Sequence, residues 1–104
     1  MLVQQILDAI AAPRRREILS LTRSERSAGE IAAHFGDVSR PAISQHLRVL
    51  KEAGLLAERR DGTRRLYRAR PEALIDVRAF FEQFWDTRLD ALRDEAEREE
   101  SRHG

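Results

Sequence analysis

The stretch SRPAISQHLRVLKEAGLL, residues 39–56, predicts an amphipathic helix whose two sides differ in chemistry. Its apolar residues recur every three or four positions, which places them on one side of a helix. They are Ile43, Leu47 and Leu50. The opposite side is polar and basic, and it carries Arg40, Ser44, Gln45, Arg48 and Lys51. Whether that polar side only meets solvent or binds a ligand depends on the elements before and after the helix.

Both ends of this helix are marked in the sequence. Ser39 can cap the first turn. Pro41 fits that turn because the N–H that proline lacks would have no partner there in any helix. Gly54 lies where a helix commonly ends with a left-handed residue. We therefore expect the helix to begin after Ser39 and to end near Ala53.

Three shorter helices are predicted upstream. An apolar stripe indicates the first over roughly 2–11, and Pro13 suits the first turn of the second. The segment Ser27-Ala-Gly-Glu30 has the form of a capping box for a third helix, which Gly36 ends. Because a tight turn at 36–39 joins the third helix to the fourth, the pair predicts a helix-turn-helix.

The chain after the fourth helix predicts a hairpin and a long helix. Two strand-like runs, 55–60 and 64–70, flank Asp61-Gly62-Thr63, and Asp-Gly is a strong hairpin signal. The predicted order is α-α-α-α-β-β-α, a mainly α chain with a small β-hairpin (α+β), which is a winged helix-turn-helix. We expect one domain over 1–98 with terminal dimerisation helices at 2–11 and 72–97, followed by a charged frayed tail at 99–104.

The charges are unevenly distributed along the chain. The net charge of the 104 residues is +1, but residues 1–70 have 14 Lys+Arg against 8 Asp+Glu, and residues 71–104 have 5 against 10. A basic body suggests an anionic partner, although an Arg-rich genome would also give many arginines. The chain has no cysteine and no apolar run near the ~20 residues of a membrane span, so a cytoplasmic protein is expected.

The polar side of the fourth helix suits DNA. The second helix of a helix-turn-helix enters the major groove, where Gln45 could pair with adenine, Arg40 with guanine and Ser44 with either. Six arginines crowd the hairpin, and like charges in a strand pair repel, so local stability does not explain them and an anionic partner does. They are Arg59, Arg60, Arg64, Arg65, Arg68 and Arg70. The alternative for each residue is a solvent-exposed side chain without a function.

The segment SRPAISQHLRVLKEAGLLAERRDGTRRLYR, residues 39–68, resembles the recognition helix and wing of the ArsR/SmtB family of dimeric winged-helix repressors. PRRREIL (13–19) and SAGEIAAHF (27–35) resemble its second and third helices. The resemblance implies base contacts at Arg40, Pro41, Ser44 and Gln45 and a wing contact at Arg64 or Arg65. Two features depart from the family: Ala11-Ala12 replace a frequent capping residue, and the ligands of metal-sensing members are missing.

Two sets of site residues follow. The predicted DNA-binding set is Ser39, Arg40, Pro41, Ser44, Gln45, His46, Arg48, Arg60, Arg64 and Arg65, with His46 equally able to brace the helix. Apolar residues of the last helix follow a nearly heptad pattern that one chain cannot bury alone, which favours a two-fold dimer over intrachain burial or a small-molecule pocket. The predicted dimerisation set is Leu2, Ile6, Ile10, Leu74, Val77, Phe81, Phe84, Trp85, Leu89 and Leu92.

These features predict a sequence-specific DNA-binding transcriptional regulator, which we expect to be a homodimeric repressor that occludes a promoter, its own being one candidate. The alternatives are a metal- or small-molecule-responsive repressor, a sequence-indifferent architectural DNA-binding protein, and a winged helix that contacts only proteins. No His pair has the spacing of a metal site, and no nucleophile or phosphate loop is recognisable, so we expect no metal, no cofactor and no enzyme activity. The sequence does not identify an inducer.

Overall fold

The computed structural model describes residues 3–84 and 87–103. The first half of the chain forms α1 (Val3–Ile10), α2 (Pro13–Leu21), β1 (Arg26–Ser27), α3 (Ala28–His34) and α4 (Arg40–Glu52). The second half forms β2 (Leu56–Asp61), β3 (Arg64–Ala69), a 3-10 turn (Pro71–Leu74), α5 (Ile75–Glu82) and α6 (Thr87–His103). The predicted winged helix-turn-helix is confirmed, with α3 and α4 as its helix pair and β2–β3 as its wing. No described helix is both long and apolar enough to cross a membrane.

One apolar core orients α4. Its most deeply buried side chains are Ile18 of α2, Ile31 of α3, Leu50 of α4 and Leu55, which follows α4; all of these are at most 1% exposed. Buried side chains from separate elements fix the angle between those elements, because interiors are close-packed. The core therefore holds the apolar side of α4 inward and leaves its other side exposed.

Both predicted ends of α4 are confirmed. The Ser39 hydroxyl accepts a hydrogen bond from the Ala42 N–H at 3.2 Å. At the other end Gly54 has a φ of +79°, its N–H donates to the Lys51 carbonyl at 3.0 Å, and the Leu55 N–H donates to the Leu50 carbonyl at 3.0 Å. These two bonds are those of a Schellman motif, which accounts for the end of the helix.

The sheet has one strand more than predicted. Its order is β1-β3-β2, and both pairs are antiparallel. Gly62 and Thr63 form the loop between β2 and β3, and a positive φ at Gly62 alone fits a type II′ turn. The two-residue strand β1 pairs Arg26 with Tyr67 and Ser27 with Leu66. Strands are predicted from alternating polar and apolar residues, and two polar residues show no such alternation, so β1 could not be predicted from the sequence.

The end of the chain differs from our prediction of one helix over 72–97 and a frayed tail. The structure has a 3-10 turn at Pro71–Leu74, ends α5 at Glu82 and has a turn at 83–84, and α6 continues to His103. The apolar spacing continues across this break, so periodicity alone did not reveal it. Residues 99–103 belong to α6, and Glu99 and Glu100 are of a residue type that favours helices even when it is exposed.

Candidate DNA-binding interface

The polar side of α4 is a free surface. Four of its predicted contact residues are exposed and form no side-chain hydrogen bond or ion pair with any described residue: Arg40, Ser44, Gln45 and Arg48. The apolar residues between them, Ile43 and Leu47, are 2% and 4% exposed. Because burial locks one side of the helix, the four polar side chains project from a rigid support. Such a support presents donors and acceptors to a ligand without a change of fold.

Ser39 and Pro41 are at the exposed start of α4. The Ser39 hydroxyl accepts a hydrogen bond from the Ala42 N–H, so the first role of this side chain is to cap the start of α4. The remaining first-turn N–H groups and the helix dipole favour an anion at this end. Ser39 and Pro41 therefore shape the helix terminus, while the side chains after them provide the wider polar surface.

Several wing arginines have partners within the chain. Arg59 binds the Glu25 carboxylate through two hydrogen bonds of 2.7 and 2.6 Å, and Arg64 lies 3.6 Å from Glu30. The Arg59 guanidinium is the main cause that lowers the pKa of Glu25. Our interpretation that only an anionic partner explains the six arginines is therefore wrong for Arg59, and Arg64 and Arg70 also have carboxylate partners, Glu30 and Glu72. Arg60, opposite Arg65 in the sheet, forms no ion pair with a described residue.

A cleft of about 430 Å³ separates α4 from the wing. It is lined by Ala28, Ser44, Leu47, Arg48, Lys51, Glu58, Arg65 and Tyr67. Lys51 Nζ lies 3.4 Å from Glu58 Oε1, and hydrogen bonding with the Tyr67 hydroxyl is the largest cause that lowers the pKa of Glu58. Lys51, Glu58 and Tyr67 were not among the site residues predicted from the sequence. The available signal was Glu58 itself, a carboxylate that directly precedes Arg59-Arg60 in an arginine-rich wing.

The three arginines of PRRREIL connect helices. Arg14 forms two hydrogen bonds with the Asp37 carboxylate, at 3.2 and 2.5 Å, in the turn between α3 and α4. Arg15 Nε donates to the Ala9 carbonyl at 2.5 Å, and Arg16 donates to the Ile10 carbonyl at 2.7 Å. These bonds satisfy carbonyls that the end of α1 would leave unpaired. Ala12, as expected, provides no side-chain cap for α2.

His46 braces α4 against this connection. Its ring Nδ1 lies 3.3 Å from Arg15 Nη1, and the side chain is half-buried. Burial, and then the positive charges of Arg15 and Arg14, lower the pKa of His46. A neutral ring can accept a hydrogen bond from Arg15, whereas a protonated ring would be repelled. This geometry favours the bracing role over a DNA contact.

We expect His46 to make the free energy of unfolding depend on pH. Because its folded pKa is lowered, its contribution is complete above the unfolded value of about 6.5 and is lost as the pH falls from there through the folded pKa. Urea unfolding at pH 7.5 and pH 5.5 should show a smaller decrease for His46→Gln than for the wild type. His34→Gln, at an exposed position on α3, should retain the wild-type decrease. An unchanged decrease in His46→Gln would contradict this assignment.

The predicted dimerisation residues whose side chains are described divide into two groups. Ile6 and Val77 are 2% and 6% exposed and belong to the core of their own chain, and Ile10 is partly buried against it. Four others are substantially exposed: Leu74 (37%), Phe81 (49%), Phe84 (57%) and Leu92 (62%). Leu2 and Trp85 lie outside the described residues, as does the side chain of Leu89. Exposed apolar side chains therefore accumulate towards the C-terminal helices.

The described part of the chain contains no cluster of side chains that could form a metal site. Within residues 3–84 and 87–103, no group of three or more His, Asp or Glu side chains could hold a metal ion. His34 is exposed on α3 with its ring edge against Phe35, and His46 is engaged with Arg15. These histidines do not converge with carboxylates.

Comparison with known proteins identifies related regulators. A family model described as a helix-turn-helix domain matches residues 10–59. An HTH-type transcriptional regulator of Mycobacterium tuberculosis is 43% identical over 82 residues, which cover 78% of this chain and 76% of the relative. The transcriptional repressor SdpR of Bacillus subtilis is 41% identical over 61 residues, which cover 58% of this chain and 67% of the relative. The family-model match includes the whole of α4.

Solved structures agree with these relatives. The crystal structure of a possible transcriptional regulator for arsenical resistance is 48% identical, with a TM-score of 0.69, over 86% of this chain and 93% of that chain. A homodimeric winged helix-turn-helix DNA-binding domain from Mycobacterium bovis, a possible ArsR-family regulator, is 33% identical, with a TM-score of 0.64, over 80% and 77% of the two chains. The chain therefore belongs to the ArsR/SmtB family of winged helix-turn-helix DNA-binding transcriptional regulators.

Proposed function

We propose that the protein is a homodimeric repressor that binds an inverted-repeat operator and thereby occludes a promoter, its own being the first candidate. The observation that carries this proposal is the exposed polar side of α4, where Arg40, Ser44 and Gln45 have no partner among the described residues. Guanidinium and amide groups of this kind form the paired hydrogen bonds that distinguish bases in the major groove. Repression on the chromosome would place the protein in the cytoplasm.

The wing supports the same proposal. Arg60 and Arg65 face each other across the β2–β3 pair, which concentrates positive charge beside the recognition helix. Phosphate contacts of this type position a protein on the duplex without identifying its sequence. We therefore assign base recognition to α4 and backbone binding to the exposed wing arginines.

The exposed apolar residues support a dimer. Phe81, Phe84 and Leu92 are 49%, 57% and 62% exposed, and burying a large apolar side chain contributes about 1.5–3 kcal/mol. The Mycobacterium bovis relative is described as homodimeric. A two-fold dimer would place two α4 helices about 34 Å apart, in successive major grooves of one operator.

Fluorescence anisotropy with two labelled duplexes tests the proposal. One duplex is the promoter upstream of the protein's own gene, the other is a scrambled sequence of equal length, and each is titrated across a salt series. We expect the promoter to bind at least about 10³-fold more tightly at physiological salt. Both affinities should decrease with salt, by about 0.9 in the log–log slope for each phosphate contact.

Sedimentation of the same sample completes the test. A homodimer should sediment with twice the mass of the chain when free, and with that mass plus the mass of one duplex when bound to an operator. Binding of both duplexes with equal affinity, together with genome-wide occupancy that showed no preferred sites, would contradict sequence-specific repression. A monomer on DNA would contradict the two-fold geometry while leaving the assignment of α4 intact.

A further inference from the structure

The cleft between α4 and the wing contains one carboxylate among several cations. Arg48 and Lys51 line it from α4, Arg65 lines it from β3, and Glu58 lines it from β2. The side chain of Glu58 is 21% exposed, whereas that of Lys51 is 52% exposed. A carboxylate in this position repels DNA phosphates, so its effect on DNA binding must come through the groups around it.

Glu58 is held at the wall of the cleft by its neighbours. It lies opposite Tyr67 in the β2–β3 register, and both side chains line the cleft. Tyr67 is 5% exposed and also interacts with Arg65. Because Tyr67 is fixed in the core, the carboxylate has a defined position, and the flexible Lys51 side chain comes to it at 3.4 Å.

The ion pair places Lys51 under competing attractions. The Lys51 side chain is half exposed, and ion pairs with this exposure are weak because water and salt screen them. A DNA phosphate close to the cleft would compete with Glu58 for the same ammonium. Each phosphate that a lysine binds adds to affinity for DNA of any sequence.

We propose that Glu58 is a positioning residue that retains Lys51 in the cleft and so limits the number of phosphates that each subunit contacts. This inference rests on the proposed function, because it requires α4 and the wing to lie against DNA. Glu58 thereby lowers the affinity for all duplexes by the same factor, which leaves a smaller fraction of the protein bound to unrelated DNA. Base recognition by Ser44 and Gln45 is left unchanged.

The test is Glu58→Gln in the anisotropy assay with the full chain. Glutamine keeps the shape of the side chain opposite Tyr67, but it has no charge with which to retain Lys51. We expect affinity for the promoter and for the scrambled duplex to rise together by about 3–10-fold near 0.1 M salt. The log–log salt slope should steepen by up to about 0.9 per subunit, which is the value of one phosphate contact.

Glu52→Gln is the matched control. It removes the same charge from the residue next to Lys51, but Glu52 is exposed at the end of α4 and does not line the cleft. The affinity of Glu52→Gln for DNA should differ from the wild type by less than about twofold, because salt at this concentration screens the charge of an exposed residue from the DNA. Equal gains in Glu58→Gln and Glu52→Gln would overturn the proposal, because net charge would then explain the result.

Lys51→Ala identifies the route of the effect. In the wild type it should change affinity by less than about twofold, because loss of a weak, exposed ion pair leaves the fold intact and Lys51 is proposed to bind no phosphate while Glu58 is present. In the Glu58→Gln background it should remove the gain and restore the slope. A gain that survives Lys51→Ala, or a large loss and a shallower slope in the wild type, would overturn the proposal. Failure of the proposed function would differ, since the unmodified protein would then bind the promoter no more tightly than the scrambled duplex, whatever the effect of Glu58→Gln.

Discussion

Replacing Ser44 and Gln45 together with alanine should weaken operator binding by about 100-fold or more and leave binding to scrambled DNA within about twofold. A paired base contact contributes about 1–3 kcal/mol of discrimination, and about 1.4 kcal/mol corresponds to a tenfold change in affinity. Both side chains are exposed on α4 and have no described partner, so their removal opens no cavity. Alanine also favours a helix, so α4 should remain intact.

Anisotropy on the two duplexes measures this effect directly. Ser20→Ala, at an exposed position on α2, is the control for a serine that does not lie on the proposed interface. The salt slope of the double variant should match the wild type, because neither residue is assigned to phosphate. Parallel losses on both duplexes would instead assign Ser44 and Gln45 to backbone binding and would leave base recognition to other residues.

Leu50→Ala should reduce the free energy of unfolding by about 2–5 kcal/mol. Leu50 is 0% exposed, and its neighbour Leu55, at 1%, packs in the same core. The substitution removes buried methyl groups and leaves a cavity under the recognition helix. Since a domain of this size is stable by only about 5–15 kcal/mol in total, the loss is a large fraction of its stability.

Urea unfolding followed by circular dichroism gives the value. Leu50→Met nearly conserves the volume and should cost less than about 1.5 kcal/mol, which separates cavity formation from a change of residue as such. The free energy of operator binding of the folded Leu50→Ala variant should change by less than its free energy of unfolding, because Leu50 has no exposed surface with which to contact DNA. Equal stability of the two variants would show that the core beneath α4 is not closely packed.

The sequence predicted those elements whose signals are local. Ser39 and Gly54 marked the ends of α4, and the Asp61-Gly62 pair marked the wing turn, since each acts through its own backbone. The polar side of α4 followed from its 3.6-residue period. Contacts between distant residues were not predictable in this way: Arg59 pairs with Glu25, which lies 34 positions earlier in the chain.

The same distinction explains the other differences. Pairing with β3 creates β1, and no property of Arg26 or Ser27 alone predicts it. The role of Arg15 depends on the end of α1 and on His46 being adjacent in space, which only the packed core provides. The turn at 83–84 lies inside a continuous apolar pattern, so periodicity placed a single helix where there are two.

The Schellman motif at Gly54 has a consequence for the entropy of DNA binding. Only residues 53–55 separate α4 from β2, and backbone hydrogen bonds hold each of them. The connection between recognition helix and wing is thus already ordered in the free protein, so no loop freedom remains to be lost when both elements meet the duplex. Helix and wing approach DNA as one body, which fixes the distance along a half-site between the groove that α4 enters and the phosphates under the wing.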